Sequence, residues 1–141
     1  MSLKTLLILI PVLSLAALTG CKASCDGLCD EGKDQHCHSS NDSNLFNHPA
    51  CYAFCQREKD MEDDGVDDCK TEFDALLDCM SQQSNICDVF LPVQGEAYDD
   101  GTPKFDKCSG TQHDYSTCIG TYCGKHTSRD YCTGVAVPTS N

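Results

Sequence analysis

CKTEFDALLDC, residues 69–79, holds two cysteines with nine residues between them and an apolar stripe inside. Phe73, Leu76, Leu77 and Met80 fall at i, i+3, i+4 and i+7, the spacing of one helical face, while Glu72, Asp74 and Asp78 sit off it. The spacing predicts a helix, with Asp67 or Asp68 as its cap, because a short carboxylate there accepts from an otherwise unpaired backbone N–H. Ten helical steps cover about 15 Å, whereas a disulfide needs its Cα atoms within about 7 Å. Cys69 and Cys79 therefore cannot bond each other. They land on roughly the same side of the helix, so both must reach another element.

CSGTQHDYSTC, residues 108–118, repeats the spacing 39 residues later, with Tyr115 where Leu76 stands in the first copy. Tyr115, Cys118, Ile119 and Tyr122 again follow a helical period; Gly110 interrupts it and Gly124 is placed to end it. Two such helices packed antiparallel would be bridged at both ends. A further helix is expected from Pro49, a first-turn residue, to about Asp60, where Cys51, Phe54 and Cys55 lie on one face. Cys51 and Cys55 give it two attachment points one turn apart. Between the second and third helices, residues 91–103 (LPVQGEAYDDGTP) read as a loop bounded by prolines. The spacing resembles the paired C-x9-C helical hairpins of the CHCH family in geometry alone. That family is mitochondrial, uses fewer cysteines and has no lipid anchor, so nothing of its role carries over. The alternation of C-x3-C and C-x9-C helices also resembles certain cysteine-rich lipoproteins.

The N-terminal twenty residues are built differently. One positive charge, Lys4, precedes an apolar run of 14 residues, TLLILIPVLSLAAL (5–18). That is the anatomy of an export signal and is shorter than the roughly 20 residues a membrane span needs. The run ends Leu18-Thr19-Gly20-Cys21, which resembles the lipobox of bacterial lipoproteins. The resemblance implies cleavage before Cys21, diacylglycerol on its thiol and acylation of the new N-terminus. Two or three acyl chains anchor stably where one is marginal. Position two of the mature chain is Lys22 rather than the aspartate that retains enteric lipoproteins in the inner membrane. The resemblance therefore implies the bacterial cell envelope, at the outer membrane.

Thirteen cysteines are an odd number. Setting Cys21 aside for lipid leaves Cys25, Cys29, Cys37, Cys51, Cys55, Cys69, Cys79, Cys87, Cys108, Cys118, Cys123 and Cys132, enough for six disulfides whose pairing the spacing leaves open. With no Trp, five Phe, five Tyr and a mean hydropathy of −0.36, a core alone is thin, and crosslinks are the usual remedy. The expected class is small, all-α and disulfide-rich: a helical hairpin or three-helix array with an irregular N-terminal arm. Residues 1–20 form the signal, 21–48 the lipidated tether, 49–132 the stapled helical domain and 133–141 a disordered tail.

Acids outnumber Lys and Arg 22 to 10, and cleavage, which removes Lys4, takes the net charge from −12 to −13. That excludes nucleic acid, whose recognition runs on positive charge. The membrane, reached through the lipid on Cys21, is the one partner the sequence implies. Metal ligands have two candidate sources. His36, Cys37 and His38, with His48 nearby, offer the N and S donors that Zn²⁺ and Cu²⁺ favour, but a bridged Cys37 is no ligand. DMEDDGVDDC (60–69) puts Asp60, Glu62, Asp64 and Gly65 at positions 1, 3, 5 and 6 of an EF-hand-like calcium loop. It then departs from the pattern, with Asp67 at position 8, Cys69 at 10 and Thr71 at 12. No C-x2-C, redox C-x-x-C or G-x-S-x-G occurs, so no catalytic residues and no cofactor are expected. Three functions remain in view. The first is a non-enzymatic envelope module that binds or braces, and the second is a metal-binding lipoprotein. The third is a secreted eukaryotic cysteine-rich protein, glycosylated at the Asn41-Asp42-Ser43 sequon.

Overall fold

A computed structural model describes residues 24–37 and 47–136. Cys21 and its lipobox, His38 and Asn41 lie outside the described residues. The elements run α1 (Cys25–Asp34), α2 (His48–Asp63), α3 (Lys70–Ser81), a single-turn α4 (Cys87–Phe90), β1 (Pro92–Ala97), β2 (Pro103–Phe105), α5 (Ser109–Lys125) and a 3-10 turn at Asp130–Cys132. The class is the expected one, all-α and disulfide-rich, with one two-stranded sheet added. Among the described residues no helix is long and apolar enough to cross a membrane.

Two antiparallel helical hairpins carry the architecture, and each is bridged twice. Cys69–Cys118 and Cys79–Cys108 tie α3 to α5 at both ends, with Cα separations of 5.7 and 5.8 Å. Cys25–Cys55 and Cys29–Cys51 do the same for α1 and α2 on consecutive turns. Cys37–Cys87 links the end of α1 to α4, and Cys123–Cys132 folds the 3-10 turn back on α5. All twelve described cysteines are thereby oxidised.

The first hairpin corrects the expected irregular arm. Residues 22–48 contain α1, opened by Ser24, whose hydroxyl accepts from the Gly27 N–H at 3.1 Å. Cys25, Leu28, Cys29 and Gly32 share a helical face, but two glycines and five charges dilute that period in the sequence. Leu28 is 2% exposed and packs into the main core, so α1 is part of the packed domain rather than of a tether. Exposed contacts decorate the hairpin's outside: Lys59 to Asp26 at 2.6 Å, and the Tyr52 hydroxyl to Asp30 at 2.8 Å. Exposed pairs of this kind contribute little.

Further differences have local causes. α2 begins at His48, capped by the Asn47 side chain on the Ala50 N–H, and runs to Asp63. Neither Asp67 nor Asp68 caps α3; Cys69 occupies that position without a side-chain hydrogen bond, and its disulfide sets the helix start instead. α5 runs unbroken through Gly110 and Gly124 to Lys125. Cys108 precedes it at φ 58°, a left-handed conformation unusual for a non-glycine residue. Residues 91–103 form no open loop. Pro92 and Pro103 open two antiparallel strands, where a missing N–H is tolerated, and Gly101 at φ 83° closes the turn, its N–H donating to the Tyr98 carbonyl. Ser109 Oγ ties this hairpin down by accepting from the Phe105 N–H at 3.1 Å. The disordered tail expected over 133–141 is corrected at its start, for Val135 packs against the core; residues 137–141 are not among those described.

The core lies where the hairpins meet. Met61, Ile86 and Val89 are at most 1% exposed, and Phe54, Phe73 and Tyr115 form a ring cluster with centroids 5.3–5.7 Å apart. These three rings come from α2, α3 and α5, so one cluster joins both hairpins.

Candidate functional site

The metal candidates do not converge. Cys37 is in a disulfide and supplies no thiolate. His36, at φ 51°, turns Nδ1 to within 2.7 Å of the Asp34 carbonyl, and His48 sits on α2 with Nε2 3.3 Å from Asp30. Asp60 and Glu62 belong to the last turn of α2, where residues two apart do not face each other. Asp60 accepts from Gln56 at 2.7 Å, and Asp64 pairs with Arg129 at 3.0 Å. Gly65, at φ 72°, is the glycine that ends α2. Its N–H donates to the Glu62 carbonyl, and that of Val66 to Met61, the two bonds of a Schellman cap. The spacing that imitates a calcium loop is a helix terminus. Among the described residues no group of three or more His, Cys, Asp or Glu is placed to hold a metal ion.

Three concave surfaces formed by described residues bear on function. The first, about 700 Å³, is polar and runs along α3 and α5. It is lined by Asp68, Glu72, His113, Asp114 and His126; Glu72 Oε2 and His113 Nδ1 are buried without a hydrogen bond, the latter 3.8 Å from Asp100. A second, about 400 Å³, lies among Asp60, Asp63, Asp64 and Asp130, with Arg129. The third differs in chemistry. It is a groove of about 480 Å³ walled by Phe54, Leu76, Val89, Phe105, Tyr115 and Ile119, and no acidic residue lines it. Val135, just beyond the 3-10 turn, forms part of its edge.

Among the polar side chains that line the groove, Arg57 and Gln112 are the two with most to offer a ligand. Arg57 is held by its Nε, which donates to the Tyr131 carbonyl at 2.9 Å; no ion pair joins it to a described carboxylate. Gln112 donates through Nε2 to the Val89 carbonyl at 2.7 Å, while its buried Oε1 has no partner. Behind the wall, the Tyr115 hydroxyl donates to Glu58. Burial pushes the Glu58 carboxyl up, against the pull of that hydrogen bond, and drives the Tyr115 hydroxyl far above its ordinary range. The sequence singled out neither groove residue. The signal was present all the same, since Arg57 follows Phe54 by three and Gln112 precedes Tyr115 by three, positions that share a helical face.

The Glu58 shift has a sign that can be tested. A carboxyl whose folded pKa is raised contributes stability fully present below its unfolded value, near 4.5, and lost as pH rises through the folded one. Glu58→Gln keeps an acceptor for Tyr115 and removes the charge. The variant is expected to unfold at higher urea than the parent at about pH 7, with the difference vanishing at about pH 4. Equal midpoints at both pH values would sink this account of the pair.

Compared with protein-family models, with curated proteins and with solved structures, the chain gives no match. Its function therefore has to be argued from its own residues.

Proposed function

We propose that this chain is a lipid-anchored module of a bacterial cell envelope that binds or braces rather than catalyses. One observation carries the reading. The six disulfides use every cysteine from Cys25 to Cys132, so no described thiol is left to pair with Cys21. Cys21 ends the lipobox-like Leu18-Thr19-Gly20-Cys21, where acylation would account for the odd count. Six bridges also suit an oxidising compartment, and Lys22 favours the outer membrane by the same resemblance. With Cys25 already bridged to α2, only three residues separate that fixed point from the proposed anchor, which would hold the domain close to the bilayer.

Intact mass of the protein from its native membrane, before and after reduction and alkylation, tests this. The expected species begins at Cys21, carries added acyl mass and gains twelve alkyl groups only after reduction. An unacylated chain, with or without a sugar on Asn41, would overturn the anchor and restore the soluble secreted alternative. Free thiols before reduction would reopen the metal-binding one.

A further inference from the structure

The apolar groove stands out by its charge. In a chain with 22 acids and 10 Lys and Arg, the other two concavities are lined by three or more carboxylates each. This one has none, and its single ionised side chain is Arg57. Its volume, about 480 Å³, falls within the range of about 300–1,000 Å³ typical of small-molecule sites. The walls are aromatic and aliphatic, and the bond from Nε to the Tyr131 carbonyl fixes the guanidinium at the groove's edge. The same guanidinium also stands against the Tyr115 hydroxyl, and the N–H groups left over by these two contacts can meet a planar oxyanion. Arg57 forms no ion pair with a described carboxylate, although Glu58 lies close enough to feel its charge and is engaged by Tyr115. The buried Gln112 oxygen is an acceptor and disfavours a second anionic group on the ligand.

We propose that the groove binds an apolar monocarboxylate, a free fatty acid in chemical class, with its chain along Phe54, Leu76, Phe105 and Ile119 and its carboxylate on Arg57. Burial of the chain supplies affinity, and the ion pair supplies the choice of head group in a protein whose overall field repels anions. The site does not depend on a lipid at Cys21, so it stands or falls separately from the anchor.

The experiment is photolabelling of the full chain with a diazirine-bearing hexadecanoic acid, followed by digestion and mapping of the adducts by mass spectrometry. Adducts are expected on the peptides carrying Phe54, Leu76 and Phe105, and excess unlabelled hexadecanoate should remove them. The matching diazirine alcohol, which lacks the charge, should label the same peptides roughly tenfold less. Arg57→Gln should lower labelling by the acid to the level of the alcohol. Labelling spread over the surface, or equal labelling by acid and alcohol of the parent protein, overturns the proposal. Because the acid–alcohol comparison needs no variant, it decides the matter even if Arg57→Gln misfolds. Protection of the groove by self-association, seen as labelling that falls with protein concentration, would replace the fatty acid with a second copy of the chain.

Discussion

A protein in which Cys69, Cys79, Cys108 and Cys118 are all replaced by alanine is expected not to fold, whereas one lacking only Cys69 and Cys118 is expected to fold with reduced stability. Disulfides act largely by shortening the unfolded chain's freedom, each contributing typically about 2–4 kcal/mol, more for longer loops. The two bridges of the α3–α5 hairpin close sequence separations of 49 and 29 residues. While Cys79–Cys108 survives, losing Cys69–Cys118 frees only the short arms between the two bridges, at a cost of about 3 kcal/mol. Losing the second releases the whole loop and adds a similar amount. Together these match the whole stability of a small domain, about 5–15 kcal/mol, in a chain with a thin core. Far-UV circular dichroism during urea unfolding reads both results. A four-alanine protein with native helicity and an unchanged midpoint would show that the core needs no staples.

The second large effect concerns α1. Leu28→Ala is expected to cost about 3 kcal/mol, the ordinary range for a buried leucine being about 2–5. Leu28 is 2% exposed and belongs to the main core cluster with Leu76, Ile86 and Val89. The paired bridges Cys25–Cys55 and Cys29–Cys51 prevent α1 from retreating to relieve the cavity. A flexible tether would instead make the substitution silent. The urea midpoint of Leu28→Ala thus separates a structural α1 from an arm, and no shift would refute the packing described.

How much the sequence revealed depended on whether one helix spoke for itself. α3 carries an uninterrupted apolar stripe, Phe73 to Met80, and its existence and buried face were legible, though not its cap. The C-x9-C pairs forbade internal bonding and required another element; antiparallel packing of the two helices was one arrangement that met this, and it is the one found between α3 and α5. α1 was not legible because its order comes from outside. Leu28 is its one large apolar residue, and the helix is held by two bridges whose partners lie 22 and 30 residues away. The β1–β2 hairpin was hidden by its prolines, which read as loop markers but sit at strand starts. The acidic run at 60–68 offered a partial match to a calcium loop because a Schellman glycine and a calcium-loop glycine occupy similar places after a helix. The groove was out of reach altogether. It is made by α2, α3, α4, β2, α5 and the segment after the 3-10 turn, and no local period reports which of their faces meet.

The order of the six bridges also settles how the molecule would answer a pull on its two ends. From Ser24 the tension would pass across Cys25 to Cys55, along the backbone to Cys69, across to Cys118, on to Cys123 and across to Cys132. Only those connecting stretches, roughly a fifth of the contour between Ser24 and Ala136, can be drawn taut, at about 3.5 Å per residue. The remainder, including most of α1, α3, α5 and both strands, hangs from that line as closed loops that carry no load. The protein would therefore act as a tie whose extension is limited to those stretches, with its core sewn to the side, and a single protease cut within any loop would leave it in one piece.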